Sequence, residues 1–329
     1  MNNQLNHTNT QVKVYHGYGH KDNLVVFGHV LRGKVVKPRR EISNVFSNIL
    51  HLLKLFKVRP IAAVRVQLRW NAQTFETKSG NDGFFKFEWA SNEDVPAGWH
   101  ELIVDLLNDN AGIINSGKGK IFVPHSTQFG FISDIDDTVL ISHSSRSGKK
   151  LRLLFTKNPK SRKTFADVVR WYQLLANTQT TADVPNPFFY VSSSEWNLYE
   201  DLNEFFKYND LPKGAFMLND IKHWTQLLKS GNTKHQGKLI RIVRILEAFP
   251  KQRFVLIGDN TQADPDIYAS IANKYGDKIE AIYIRNIRQD YAAETLLRLE
   301  SIEDKSIAIC LFEHTDEAIL HGRKVGLLR

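Results

Sequence analysis

Three carboxylates and two hydroxyls crowd into Ser133-Asp134-Ile135-Asp136-Asp137-Thr138, directly after the apolar run Phe131-Ile132. The apolar lead-in predicts a buried strand of the kind found in parallel sheets. Its carboxyl end is where open α/β sheets bind ligands. Residues i and i+2 on a strand share a face, which places Asp134 and Asp136 in one site. Neighbouring carboxylates repel each other unless one keeps a proton or a cation lies between them. The pair therefore costs stability and points to chemistry.

Asp134-x-Asp136-x-Thr138 resembles the first motif of the haloacid-dehalogenase-like phosphotransferases. That resemblance asks for three further parts in chain order. Phe188-Phe189-Tyr190-Val191 runs into Ser192-Ser193-Ser194 ahead of a helical stretch. Hydroxyl and N–H groups before a helix suit a phosphate, and also suit a helix cap. Ser192 and Ser193 are assigned to the phosphate and Ser194 to the cap. The third part is a lysine early in a helix, to neutralise charge between nucleophile and phosphoryl group. Lys238 fits, and Lys234 is the competitor. The fourth is Gly258-Asp259 after the strand-like Phe254-Val255-Leu256-Ile257, with Asp264 five residues on. Magnesium needs few protein carboxylates and keeps waters. Asp134, Asp259 and the backbone carbonyl of Asp136 supply an oxygen shell, and Asp264 joins it through water or holds the loop. Asp264 before Pro265 also reads as a helix N-cap.

Asp134 to Thr138, Tyr190 to Tyr199 and Phe254 to Tyr268 are together similar to the catalytic domain of actin-patch-type phosphatidate phosphatases, a magnesium-dependent branch of that superfamily. Two places differ from the usual pattern: Glu195 stands where proline is common, and Asn260-Thr261 replaces a small Ser-Gly pair. The resemblance implies a two-step phosphoryl transfer. Asp134 attacks phosphorus, Asp136 serves as acid and then base, Thr138 orients the loop, Asp137 is structural, and Lys238 and Ser192 hold the equatorial oxygens. It also implies phosphatidate as substrate, against two rivals: a soluble phosphomonoester or phosphoprotein, and a non-catalytic interaction protein.

These residues need a scaffold. From 126 to 329, strand-like runs at 129–135, 188–191, 254–257, 281–284 and 307–311 alternate with helical patterns at 163–176, 196–208, 238–248, 264–275, 290–300 and 314–323. The expectation is a Rossmann-like, haloacid-dehalogenase-like α/β domain, a parallel sheet with helices on both faces. Residues 12–125 are instead strand-rich, with runs at 12–15, 24–31, 63–70, 84–89 and 99–107. They predict a β-sandwich-like accessory domain, preceded by a tail at 1–11. A helical insertion at 41–57 is read either as a core-facing helix or as one resting on acidic lipid.

Composition bounds the rest. With 42% hydrophobic and 24% charged residues over 329 positions, the chain can bury a sizeable core. A net charge of +9 favours an anionic partner. The basic stretch 146–163, interleaved with Leu153, Leu154 and Phe155, is read as a contact to anionic lipid or as a solvated loop. The expected partner is a phosphorylated substrate, an anionic lipid at a membrane surface, and not nucleic acid. A single cysteine, Cys310, excludes an internal disulfide framework. With no apolar leader and no long apolar run, the expected location is cytoplasmic, with peripheral membrane contact.

Overall fold

A computed structural model describes residues 10–33, 59–125, 128–139, 164–165, 167–181, 183–219 and 234–329. The helix expected at 41–57 and the basic stretch 146–163 lie outside the described residues. Nine strands form one hydrogen-bonded network: β1 (Thr10–Val14), β2 (Gly17–His20), β3 (Asn23–Arg32), β4 (Arg59–Pro60), β5 (Arg65–Trp70), β6 (Gln73–Lys78), β7 (Phe84–Trp89), β8 (Gly98–Leu107) and β9 (Ile113–Val123). β3 is its hub, pairing antiparallel with β1, β2, β4 and β7. It is buried along nearly its whole length, and alternation explains why. Leu24, Val26 and Val30 enter a core within the network, whereas Val25, Phe27 and Leu31 enter the core of the second sheet.

The second sheet has six strands, β10 (Gly130–Asp134), β11 (Phe188–Glu195), β12 (Gly214–Asn219), β13 (Phe254–Asp259), β14 (Ile279–Arg285) and β15 (Ala308–Phe312), all paired parallel. Their spatial order is β12-β11-β10-β13-β14-β15. The chain starts at the centre, winds outward through β11 and β12, then returns to β13 beside β10. The crevice at that reversal is the ligand-binding position of doubly wound sheets. The helices are α1 (Val168–Asn177), α2 (Tyr199–Tyr208), α3 (Lys234–Ala248), α4 (Asp264–Tyr275), α5 (Ala292–Glu300) and α6 (Thr315–Lys324). Tyr172 of α1 and Phe206 of α2 pack on the face carrying Phe188 and Tyr190. On the opposite face Phe189 meets Phe249 and Tyr18 of β2. No helix among the described residues is long and apolar enough to cross a membrane.

Candidate active site

The parallel strands deliver the chemistry-bearing residues at one edge. Asp134 ends β10, Asp259 ends neighbouring β13, and Ser192 lies near the end of β11 on the other side of β10. Asp136 and Asp137 follow in a tight turn, in which the Val139 N–H donates to the Ile135 carbonyl at 3.1 Å. Asp137 takes the left-handed φ of 57° that this turn requires, a conformation aspartate tolerates.

The side chains then interlock. Lys238, in the second turn of α3, donates to Asp134 Oδ1 at 2.8 Å and also to Asp264 Oδ1. The second oxygen of Asp264 accepts from the Asp259 N–H at 3.3 Å. Thr138 Oγ1 donates to Asp259 Oδ2 at 3.4 Å, and the Thr261 N–H donates to Asp259 Oδ1 at 2.6 Å. Ser192 Oγ donates to Asp136 Oδ2 at 3.3 Å. Four separated segments thus close on one another, and Asp134, Asp136, Thr138, Ser192, Lys238, Asp259 and Asp264 are all buried. Gly258 permits the closest approach. A Cβ there would lie 2.4 Å from Asp264 Oδ2 and 2.9 Å from the Tyr268 ring.

Oxygens of Asp134, Asp259 and Asp264 lie within 4.8 Å of one another. Burial pushes the Asp134 carboxyl well above the carboxylate range. Lys238 opposes the shift, and Asp264, Asp136 and Asp259 add to it. Burial and then Asp264 raise Asp259 to about 7. Burial alone would lower Lys238, but Asp134 and Asp264 outweigh it and hold the ammonium charged. Asp134 Oδ2 is buried without a hydrogen-bond donor. A crowded, all-oxygen set with an unsatisfied oxygen fits a hard divalent cation. The Asp136 side chain stands outside that triad, facing Ser192.

Some expectations change on contact with the geometry. Ser194 is not a helix cap: β11 runs on through Glu195, the following 3-10 turn begins at Trp196, and the Ser194 N–H donates to Ser192 Oγ at 3.0 Å. Asp264 is not the N-cap either. That position is Ala263, and the Asp264 carboxylate turns inward to Lys238. Ser193 meets its neighbours through the backbone, its carbonyl accepting from Asn219 Nδ2 at 2.8 Å. The Lys234 side chain lies outside the described residues, and Lys238 occupies the site. Sequence reasoning missed Arg241, whose guanidinium donates to Asn219 Oδ1 at 2.6 Å and to the Ser192 carbonyl at 3.4 Å. Its spacing from Lys238, three positions along a helix, was the available signal. It also missed Tyr15, whose ring stacks on Trp196 at 4.2 Å and 14°, two residues beyond Ser194.

Residues 129–286 match the family model described as the catalytic domain of phosphatidate phosphatase APP1. Within that span lie Asp134, Asp136, Ser192, Lys238, Asp259 and Asp264. This segment is an APP1-type catalytic domain. The phosphatidate phosphatase APP1 of Saccharomyces cerevisiae is 34% identical over 161 residues, 47% of this chain and 25% of that protein. An uncharacterized protein of Schizosaccharomyces pombe is 25% identical over 199 residues, 59% of this chain and 31% of that protein. The chain thus spans a third or less of these curated relatives. A carbohydrate acetylesterase from Xanthomonas citri covers 96% of this chain and 73% of its own at a TM-score of 0.36 and 8% identity, too loose to bear on the fold. The APP1-type segment begins beside β10 and ends after β14, so the antiparallel network lies outside it.

Proposed function

We propose that the chain is a magnesium-dependent phosphatase of the haloacid-dehalogenase-like type that hydrolyses phosphatidate to diacylglycerol and phosphate at a membrane surface. The observation that carries this reading is the meeting of Asp134, Asp259, Asp264 and Lys238 at the sheet reversal of an APP1-type domain. Asp134, Asp259 and Asp264 would hold the ion with the backbone carbonyl of Asp136. Bound there, magnesium would offset the charge of the carboxylates and of the phosphoryl oxygens.

The chain's own residues divide the remaining work. Asp134 attacks phosphorus, its P–O bond forming as the bond to the diacylglycerol oxygen breaks, which gives an aspartyl-phosphate. Asp136 gives the leaving oxygen a proton, then takes one from the water that cleaves the acyl-phosphate. Lys238 bridges Asp134 and Asp264, fixing the nucleophile and adding positive charge where the equatorial oxygens come to lie. Ser192 joins Asp136 to the phosphate pocket, and Ser193 offers its backbone N–H to it while Asn219 holds its carbonyl. Thr138 holds Asp259 in register. The chain's excess of positive charge draws the enzyme to anionic lipid from the cytoplasmic side.

The test is phosphate release from phosphatidate in mixed micelles and from soluble phosphomonoesters, with and without magnesium. Release from the lipid should require magnesium and fall by at least about a thousandfold in Asp134→Asn, in line with loss of a nucleophile. Wild-type-like release by that variant would falsify the mechanism. Turnover of soluble esters alone would remove phosphatidate as the substrate.

A further inference from the structure

A cleft of about 870 Å³ opens on the side of the molecule away from the carboxylates. One wall is β8 and β9, and the other is α1 and α2 with the start of β12. Gly214 opens β12, so this cleft lies toward the amino ends of the parallel strands, whereas Asp134, Ser192 and Asp259 lie at their carboxyl ends. None of the carboxylates of the candidate active site lines it, nor does Lys238. Its volume is that of a small-molecule site.

Its chemistry is specific. Trp99 lies in one wall, with the His16 ring 4.9 Å away and Lys213 Nζ 3.6 Å from its centroid. Lys118, Lys120 and Lys207 also line the cleft, and so do the carboxylates Glu101, Glu200 and Asp210. Glu101 pairs with Lys120 at 3.0 Å, but among the described residues no carboxylate pairs with Lys213. Its ammonium is left to the indole face. Burial, then repulsion from Lys120, lowers it to about 8, with Glu101 opposing the shift. His16 Nδ1 lies 3.0 Å from the Gly214 carbonyl. A carbonyl only accepts, so Nδ1 carries the proton and Nε2 is left as an acceptor. Burial, then Lys213, lowers this ring to about 4 and keeps it neutral. The amide of Asn203 adds a further donor and acceptor. An ammonium without a carboxylate partner, beside a neutral imidazole acceptor and an indole plane, suits a ligand with an anionic end and a hydroxyl-bearing carbon skeleton.

We propose that this cleft binds a small phosphorylated polyol, its phosphate between Lys213 and Lys120 and its carbon skeleton against Trp99. Such a group occurs as a dissolved polyol phosphate or as a phospholipid headgroup. Two arms separate these sources, each using the full chain without magnesium. In the first, glycerol 3-phosphate is followed by equilibrium dialysis. In the second, vesicles of phosphatidylcholine with and without phosphatidylglycerol are followed by co-sedimentation. Lys213→Ala should weaken binding about tenfold or more, the effect of losing one charge-assisted contact. Lys213→Arg should retain it, and so should Ser192→Ala, which alters only the catalytic pocket. Binding in the first arm assigns a dissolved ligand, and headgroup-dependent binding in the second alone assigns a lipid. Far-UV circular dichroism and thermal midpoints of the exposed Lys213 variants check that they fold, and Lys213→Gln substitutes if the alanine variant does not. No binding in either arm overturns the proposal. So does a Lys213→Ala protein that binds like wild type, or binding lost only in Ser192→Ala. Phosphatase activity plays no part in these readouts, so the catalytic reading stands or falls separately.

Discussion

Asp259 shows what the site asks of a single residue. It ends a fully buried strand, its oxygens accept from Thr138 and Thr261, and its N–H is held by Asp264. Burial disfavours its charge and Asp264 disfavours it further, so the carboxylate is costly until a cation shares it. A ligand that binds only the folded chain stabilises it, by about 2.7 kcal/mol at a hundred times its dissociation constant. Magnesium should therefore raise the thermal midpoint of the wild type. Asp259→Asn removes a ligand oxygen's charge while keeping the shape, so it should abolish the magnesium-dependent rise. Ser192→Ala, which touches Asp136 and not the triad, should keep it. Differential scanning calorimetry with and without magnesium decides; an undiminished rise in Asp259→Asn would move the ion away from this triad.

At the scale of elements, the end of β11 is braced from outside the APP1-type segment. Ser192 to Ser194 end on Trp196, Trp196 stacks on Tyr15, and the next residue but two, Tyr199, accepts from the His16 N–H at 3.1 Å. The β1–β2 connection thus fixes where the end of β11 sits. Tyr15→Ala should cost about 3 kcal/mol of stability, as large aromatic truncations in cores do. It should also raise KM for the phosphate ester severalfold with magnesium affinity unchanged, because the carboxylate triad stands on other elements, β10, β13 and α4. Tyr15→Phe, which keeps the stack, should leave KM near wild type. Steady-state kinetics and urea midpoints read both, and an unchanged KM in Tyr15→Ala would show that Trp196 needs no brace. Sequence periodicity anticipated β10, β11, β13, β14 and β15 and their carboxyl-edge residues, since buried parallel strands read as unbroken apolar runs. It overlooked β12, because Gly-Ala-Phe-Met-Leu-Asn has no β-branched residue and suits a helix equally well. It overlooked β9 because two inward positions are Gly117 and Gly119. They pack on Val12 and Val14 where any Cβ would collide, so the expected apolar alternation is absent. The Tyr15–Trp196 contact joins positions far apart in the chain, and no local pattern announces it.

The whole molecule is held by a seam between its two sheets, and histidines line that seam. Tyr15, Tyr18, Val25, Phe27 and Leu31 of the antiparallel network lie in the same apolar core as the parallel sheet. Tyr15 hydroxyl and His29 Nδ1 share a hydrogen bond of 2.9 Å there, and His29 is fully buried. Burial lowers His29 to about 4, with Asp82 opposing the shift and Lys13 adding to it, and His16 at the seam's edge is lowered to about 4 as well. An unfolded histidine takes up its proton near 6.5. Between that value and about 4 the unfolded chain binds more protons than the folded one, so stability is lost as pH falls through this window. For His29 alone the loss at about pH 4.5 is on the order of 2.5 kcal/mol. His16, less deeply buried, should add less. Protonation at either position puts charge into the seam, so the two sheets should part before the parallel sheet loses its own strands. His29→Gln keeps a hydrogen bond to Tyr15 and cannot take up a proton. Its urea midpoint should fall less than that of the wild type between neutral pH and about pH 4.5, by an amount corresponding to most of that 2.5 kcal/mol. Equal acid losses in the two proteins would mean that His29 is charged in the folded seam, and the acid sensitivity would then have to come from carboxylates elsewhere.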